Sequence, residues 1–173
     1  MIVATWLLFT LGCLGALDIL LFHSIAHDLR RHAPSRVELM SHAMRGPVYA
    51  LLFVLVPNVR MQGTWFWGLV GILVLDLLVS LWDFSIEKAS RRALGGLPSG
   101  EYVLHSVIAM FFGAFVMAVL WETEGWATQE TALTWTPDAV ADPLRLLLAV
   151  MAGGVLLSGW LDARAVWRLA AQR

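Results

Sequence analysis

The chain is poor in charge. Only 14% of its 173 residues are Asp, Glu, Lys or Arg, against 59% hydrophobic ones, and the mean hydropathy is +0.72. That is too little polar surface for a water-soluble domain of this length, so the composition excludes an ordinary soluble protein and points into a membrane. The basic excess that nucleic acid demands is missing too, since the net charge is −1. A single cysteine, Cys13, excludes an internal disulfide. Set in an apolar run, it reads as a small buried hydrophobe. No basic residue precedes the first apolar stretch, MIVATWLLFTLGCLGALDILLF, as one would before a cleaved signal sequence, so that stretch is expected to be a retained membrane helix. Nucleotide-binding motifs, internal repeats and low-complexity tracts are also missing. The length suits one domain over 1–173.

What is present is five hydrophobic segments, at 2–24, 36–57, 64–86, 101–121 and 143–161, each near the ~20 residues that cross a bilayer as a helix. The expected fold is all-α, a polytopic bundle of five transmembrane helices. Its orientation follows from the short loops. Arg30, Arg31 and Arg36 follow segment one, Lys88, Arg91 and Arg92 follow segment three, and Arg164, Arg168 and Arg173 follow segment five. The loop after segment two has only Arg60, and the loop after segment four has Glu122, Glu124, Glu130, Asp138 and Asp142 with no cation. Positive residues stay inside, which places the N-terminus out and the C-terminus in, in a bacterial inner (cytoplasmic) membrane. Ser99 is a predicted N-cap for segment four. Segment five, with Gly153, Gly154 and Gly159, reads as a packing helix or a homo-oligomer contact without a ligand of its own.

Four segment ends carry one arrangement: His23-x-x-x-His27, Glu38-x-x-x-His42, Asp83-x-x-x-Glu87 and Glu101-x-x-x-His105. A spacing of four puts both members of a pair on one helix face, and the topology brings all four pairs to the cytoplasmic side. Iron, manganese and zinc accept such a mixture of imidazole and carboxylate donors. The eight residues are therefore expected to hold two transition-metal ions, iron first and zinc as the alternative. The donor logic resembles that of di-iron carboxylate bundles, although those use Glu-x-x-His and the spacing here is four; membrane desaturases and hydroxylases use far more histidines.

Each pair also has a plainer reading. Ser35-x-x-Glu38 is a capping box, Glu101 complements a helix dipole, Asp83 and Glu87 find Lys88, Arg91 or Arg92, and His23 and His27 meet headgroups. The shared side of all four pairs favours the metal. Asp76, Arg45 and Tyr49 extend two of the faces inward, where they are expected to orient a ligand or to carry protons. Asp18 lies on the opposite helical face from His27 and is expected to miss the site. His32, among Arg30, Arg31 and Pro34, is expected in solvent, and Arg30, Arg31, Arg91 and Arg92 ring the mouth as topology signals or lures for an anionic lipid.

These features point to a membrane-embedded metalloenzyme that hydroxylates or desaturates a lipid or other hydrophobic substrate, with Glu38 and Glu101 as catalytic carboxylates and electrons from an external donor. A zinc-dependent lipid hydrolase uses the same residues, with Glu38 or Glu101 as general base. A metal transporter or sensor needs polar groups right across the bilayer, and Ala50–Val56 and Phe111–Leu120 are wholly apolar. A b-type haem sits poorly among so many carboxylates.

Overall fold

The computed structural model describes residues 1–171; Arg173 of the last basic group, and the side chain of Asp138, lie outside the described residues. Helix α1 (Ile2–Asp18) continues without a break into a π-helical segment (Ile19–Ala26). Together they make the first of five helices long and apolar enough to cross a membrane. The others are built on α2 (Arg36–Asn58), α3 (Thr64–Arg91), α4 (Ser99–Glu122) and α5 (Asp142–Ala170).

The helices outrun the hydrophobic segments that announce them. Helix α3 passes residue 86 and continues to Arg91 because its last turns are buried in protein: Glu87, Ser90 and Arg91 all face inward. Helix α5 runs on to Ala170, where Ala165, Val166 and Leu169 pack with Leu29 and Leu39 in a small second core. Two expected caps do not form. Ser35 stands at the N-cap of α2 and Ser99 opens α4, yet neither makes a capping hydrogen bond, and Glu38 is engaged elsewhere. Asp28, in left-handed backbone at φ 43° and paired with Arg31 at 3.0 Å, ends the first span. Gly95 and Gly96, at φ 97° and 93°, turn the chain between α3 and α4.

Helix α2 is central, packing along α5 and α3 and touching α1, while α1 packs on α4. At the α2–α5 crossing Gly46 meets Gly159, and a Cβ on Gly46 would stand 3.2 Å from the Gly159 Cα. Such an approach is open only to small residues. The larger core fills one half of the bundle with Leu8, Leu52, Phe53, Leu69, Phe115 and Leu148. At that end Val59–Gln62 (β1) pairs antiparallel with Ala132–Trp135 (β2), Val59 opposite Trp135. This short hairpin-like tie is an addition to the all-α expectation, and Arg145 braces it by bonding Asn58, Asp142 and the Pro137 carbonyl. The outward faces are apolar: Met110 and Leu146 are each 67% exposed. Large exposed aliphatic surface on every long helix fits a lipid environment. Cys13, expected inside, is on that outward surface.

Candidate metal centre

The polar groups gather at the end opposite the β1–β2 tie, between the two cores. Four helices supply them. α2 provides Glu38, Ser41 and His42 one turn apart; α3 provides Asp83, Glu87 and Arg91 at successive fours; α4 provides Glu101 and His105. The first helix behaves differently. From Ile19 to Ala26 it is wound as a π-helix, closed by the His27 N–H donating to the Phe22 carbonyl. Five residues span an α-turn and a half-turn more, leaving Asp18 and His23 about 140° apart in an α-helix. In an i→i+5 turn they overlie. Asp18, which α-periodicity sends away from the site, is thereby brought into it.

Two groups of side chains have donor atoms mutually within 4.8 Å, close enough to hold a metal ion: Asp18, His23, Glu101 and His105, and His23, Glu38 and His42. In the first, the Asp18 carboxylate lies 3.2 Å from both His23 Nε2 and His105 Nε2, and Glu101 Oε1 lies 3.5 Å from His23 Nε2. In the second, the His23 and His42 rings stack with centroids 4.6 Å apart. The remaining three of the eight flank these groups. Asp83 approaches His42 Nε2 at 3.6 Å and accepts a hydrogen bond from Ser41. Glu87 lies 3.2 Å from His105 Nδ1, and His27 Nε2 lies 3.6 Å from Glu101 Oε2. His32 belongs to neither group.

Arg91 is the largest departure from the sequence reading. Expected at the mouth, it is fully buried at the centre. Its Nη2 stands 2.8 Å from Glu38 Oε1 and 2.5 Å from Glu101 Oε1, so the guanidinium bridges one carboxylate from each group. Capping box and dipole therefore give way to an ion-pair role for Glu38 and Glu101. Even so, the centre is short of positive charge. Asp18, Glu38, Asp83, Glu87 and Glu101 are all buried, and one guanidinium offsets one of them. Uncompensated carboxylates away from water are costly, so the centre calls for further cations, as metal ions or as imidazolium protons. Several buried donors make no hydrogen bond among the described residues: both His23 ring nitrogens, His27 Nε2, Asp18 Oδ1 and Glu101 Oε2. Burial, reinforced by Arg91, pushes the His27 imidazole below its ordinary range, against the pull of Glu101. A neutral imidazole is the form that binds metal.

Deeper in the bundle, Arg45 Nε donates to Asp76 at 3.2 Å and its Nη2 lies 3.4 Å from the Tyr49 hydroxyl. Asp76 is wholly buried with Oδ2 unpartnered. Helix α5, expected to bring no ligand of its own, contributes Asp162, held by Arg30 Nε at 2.6 Å. Asp162 and Arg30 face His23 and His42 across a cavity of about 10 Å³, room for about one water molecule. A larger cavity, about 180 Å³ near Arg60 and Trp126, lies at the far end and has no histidine or carboxylate among its described lining residues.

Comparison of the chain with protein-family models, with curated proteins and with solved structures finds no match.

Proposed function

We propose that this chain is a membrane-embedded metalloenzyme whose His/carboxylate centre holds two transition-metal ions, iron by preference, and that it hydroxylates or desaturates a lipid or other hydrophobic substrate. The observation that carries this reading is the pair of ligand groups within 4.8 Å, set where buried donors lack partners and negative charge exceeds positive. The first ion is assigned to Asp18, His23, Glu101 and His105, and the second to Glu38 and His42 with Asp83 beside them. Nitrogen and carboxylate donors in this proportion suit iron, manganese or zinc over calcium or magnesium.

When bound, such ions supply redox or Lewis-acid chemistry. The chain supplies the rest. The apolar core of Leu52, Phe53 and Phe115 closes the centre on the β1–β2 side and keeps water from a reactive oxidant. That same closure weighs against a transport path. The small cavity beside His23 and His42 admits a water-sized ligand, and the Arg30–Asp162 pair lines its other wall. A long substrate approaches at the α3–α4 seam, where His105 lies against Phe84 with ring centroids 5.6 Å apart. In hydroxylation one oxygen atom of dioxygen enters a C–H bond and the other leaves as water, so two electrons and two protons come from an external donor. The basic residues of the inner loops support a cytoplasmic site in a bacterial inner membrane, N-terminus out and C-terminus in.

Metal analysis and an optical spectrum of protein purified without chelator test this reading. About two irons per chain is the outcome expected of a carboxylate-bridged pair. Zinc in their place converts the proposal to a membrane lipid hydrolase, in which a carboxylate such as Glu38 or Glu101 acts as base. No bound metal under any loading condition refutes both and leaves a buried histidine–carboxylate network closed by imidazolium protons.

A further inference from the structure

Resting on the metal reading above, we infer that Arg91 is an internal cation that competes with the second metal ion for Glu38, so that the two ions bind with unequal affinity. The guanidinium occupies the place a bridging cation would take. Its Nη2 contacts Glu38 Oε1 and Glu101 Oε1 together, and its Nη1 donates to Glu38 Oε2 at 3.3 Å. Both Glu38 oxygens are thus directed at Arg91, whereas Glu101 Oε2 makes no hydrogen bond among the described residues and lies 3.6 Å from His27 Nε2.

The consequences differ for the two ligand groups. The group of Asp18, His23, Glu101 and His105 keeps Asp18 and both imidazoles clear of Arg91, although the Glu101 Oε1 that lies 3.5 Å from His23 Nε2 is the oxygen that Arg91 holds. The group of His23, Glu38 and His42 loses its sole carboxylate to the guanidinium. It also shares His23 with the first group. A second ion must therefore displace Arg91 from Glu38. Arg91 is the last residue of α3, and the chain beyond it turns through Gly95 and Gly96. Its side chain is long, and withdrawal toward that loop needs no change in the helix. Two cations at one carboxylate pair repel each other, and in a dry setting that repulsion is weakly screened.

The test is a titration of the full chain, in detergent and without oxygen, with Fe(II) alone. Wild-type protein is expected to take a first equivalent at least tenfold more tightly than a second. Arg91→Gln removes the competing charge and is expected to tighten the second step at least tenfold. Arg91→Lys keeps a buried positive charge but loses the fork that spans both carboxylates; it is the variant that preserves folding where Arg91→Gln does not, and it is expected to tighten the second step by a smaller factor. A second step unchanged from wild type in a folded Arg91→Lys or Arg91→Gln protein overturns the inference while leaving the metal reading intact. Failure of all three proteins to bind any Fe(II) removes the metal reading and the inference with it.

Discussion

Replacing Asp18 by Ala removes a carboxylate that lies 3.2 Å from each of two histidines, His23 and His105. Loss of a residue that merely orients a metal ligand costs about 10–100-fold in affinity. A direct donor, one of four in its group, falls at or beyond the upper end, so about a hundredfold is expected, or ~2.8 kcal/mol. Part of the loss is indirect, because each ring loses one of its two carboxylate neighbours, leaving Glu87 beside His105 and Glu101 beside His23. Asp18→Asn separates the two effects: it retains the shape and a hydrogen bond while giving up the charge, and its weakening is expected to be smaller. The assay is an Fe(II) titration against a colorimetric chelator, with circular dichroism to establish folding. His105→Ala serves as the positive control and His32→Ala as the negative one, being outside both ligand groups. Asp18→Ala protein that binds iron like wild type, beside a His105→Ala protein that does not, would show that the π-turn brings Asp18 near the centre without making it part of it.

Arg45→Met strands the wholly buried Asp76 carboxylate, and breaking a buried pair from one side costs about 3–5 kcal/mol; the double change Arg45→Met with Asp76→Leu is expected to recover most of the lost melting temperature in detergent. Gly159→Leu drives a side chain into the Gly46 backbone, whose Cα lies 3.3 Å from the added Cβ, and is expected to lower stability by about 1–3 kcal/mol or more as α2 and α5 separate. His27 binds a proton less readily folded than unfolded, so stability is lost as pH falls below the unfolded value near 6.5 and the loss is complete below the folded one; melts compared at about pH 7.5 and pH 5 are expected to show a smaller drop in His27→Gln than in wild type. Deleting Leu20, which is 56% exposed between Asp18 and His23, converts the π-segment to an α-helix with the two residues four apart and is expected to spare metal binding. Inserting an alanine at the same place swings Asp18 away and is expected to weaken binding as Asp18→Ala does.

The five long helices and the eight side chains were readable because hydrophobic run length and a spacing of four are local properties. Where the centre departs from that reading, local periodicity is the wrong ruler. Asp18 is reached only through the π-turn, and nothing in the residues Ile19 to Ala26 marks that turn in advance; apart from His23 and Ser24 they are apolar residues common in membrane helices. Arg91 looks like a loop cation because a hydropathy window closes segment three too early. Its depth depends on Glu38 and Glu101 arriving from other helices to pair with it. Asp162 was hidden for the same reason, since only Arg30 and the cavity beside His42 give it a partner.

On the membrane reading, these departures share a physical cause. A bundle in lipid gains little from burying more apolar surface between helices, because the tails outside are as apolar as leucine. Polar contacts must then do much of the joining, and here α3 and α4 meet through Arg91–Glu101 and Glu87–His105 rather than through a broad apolar seam. Helices held by such contacts are free to extend, or to take up an extra residue, until charges meet. The π-turn of the first helix is intelligible on those terms. Rewinding it to α-helix would turn α1 against α4 and would cost the approach of Asp18 to His23 and His105, so the polar centre helps to make the wider turn worth keeping.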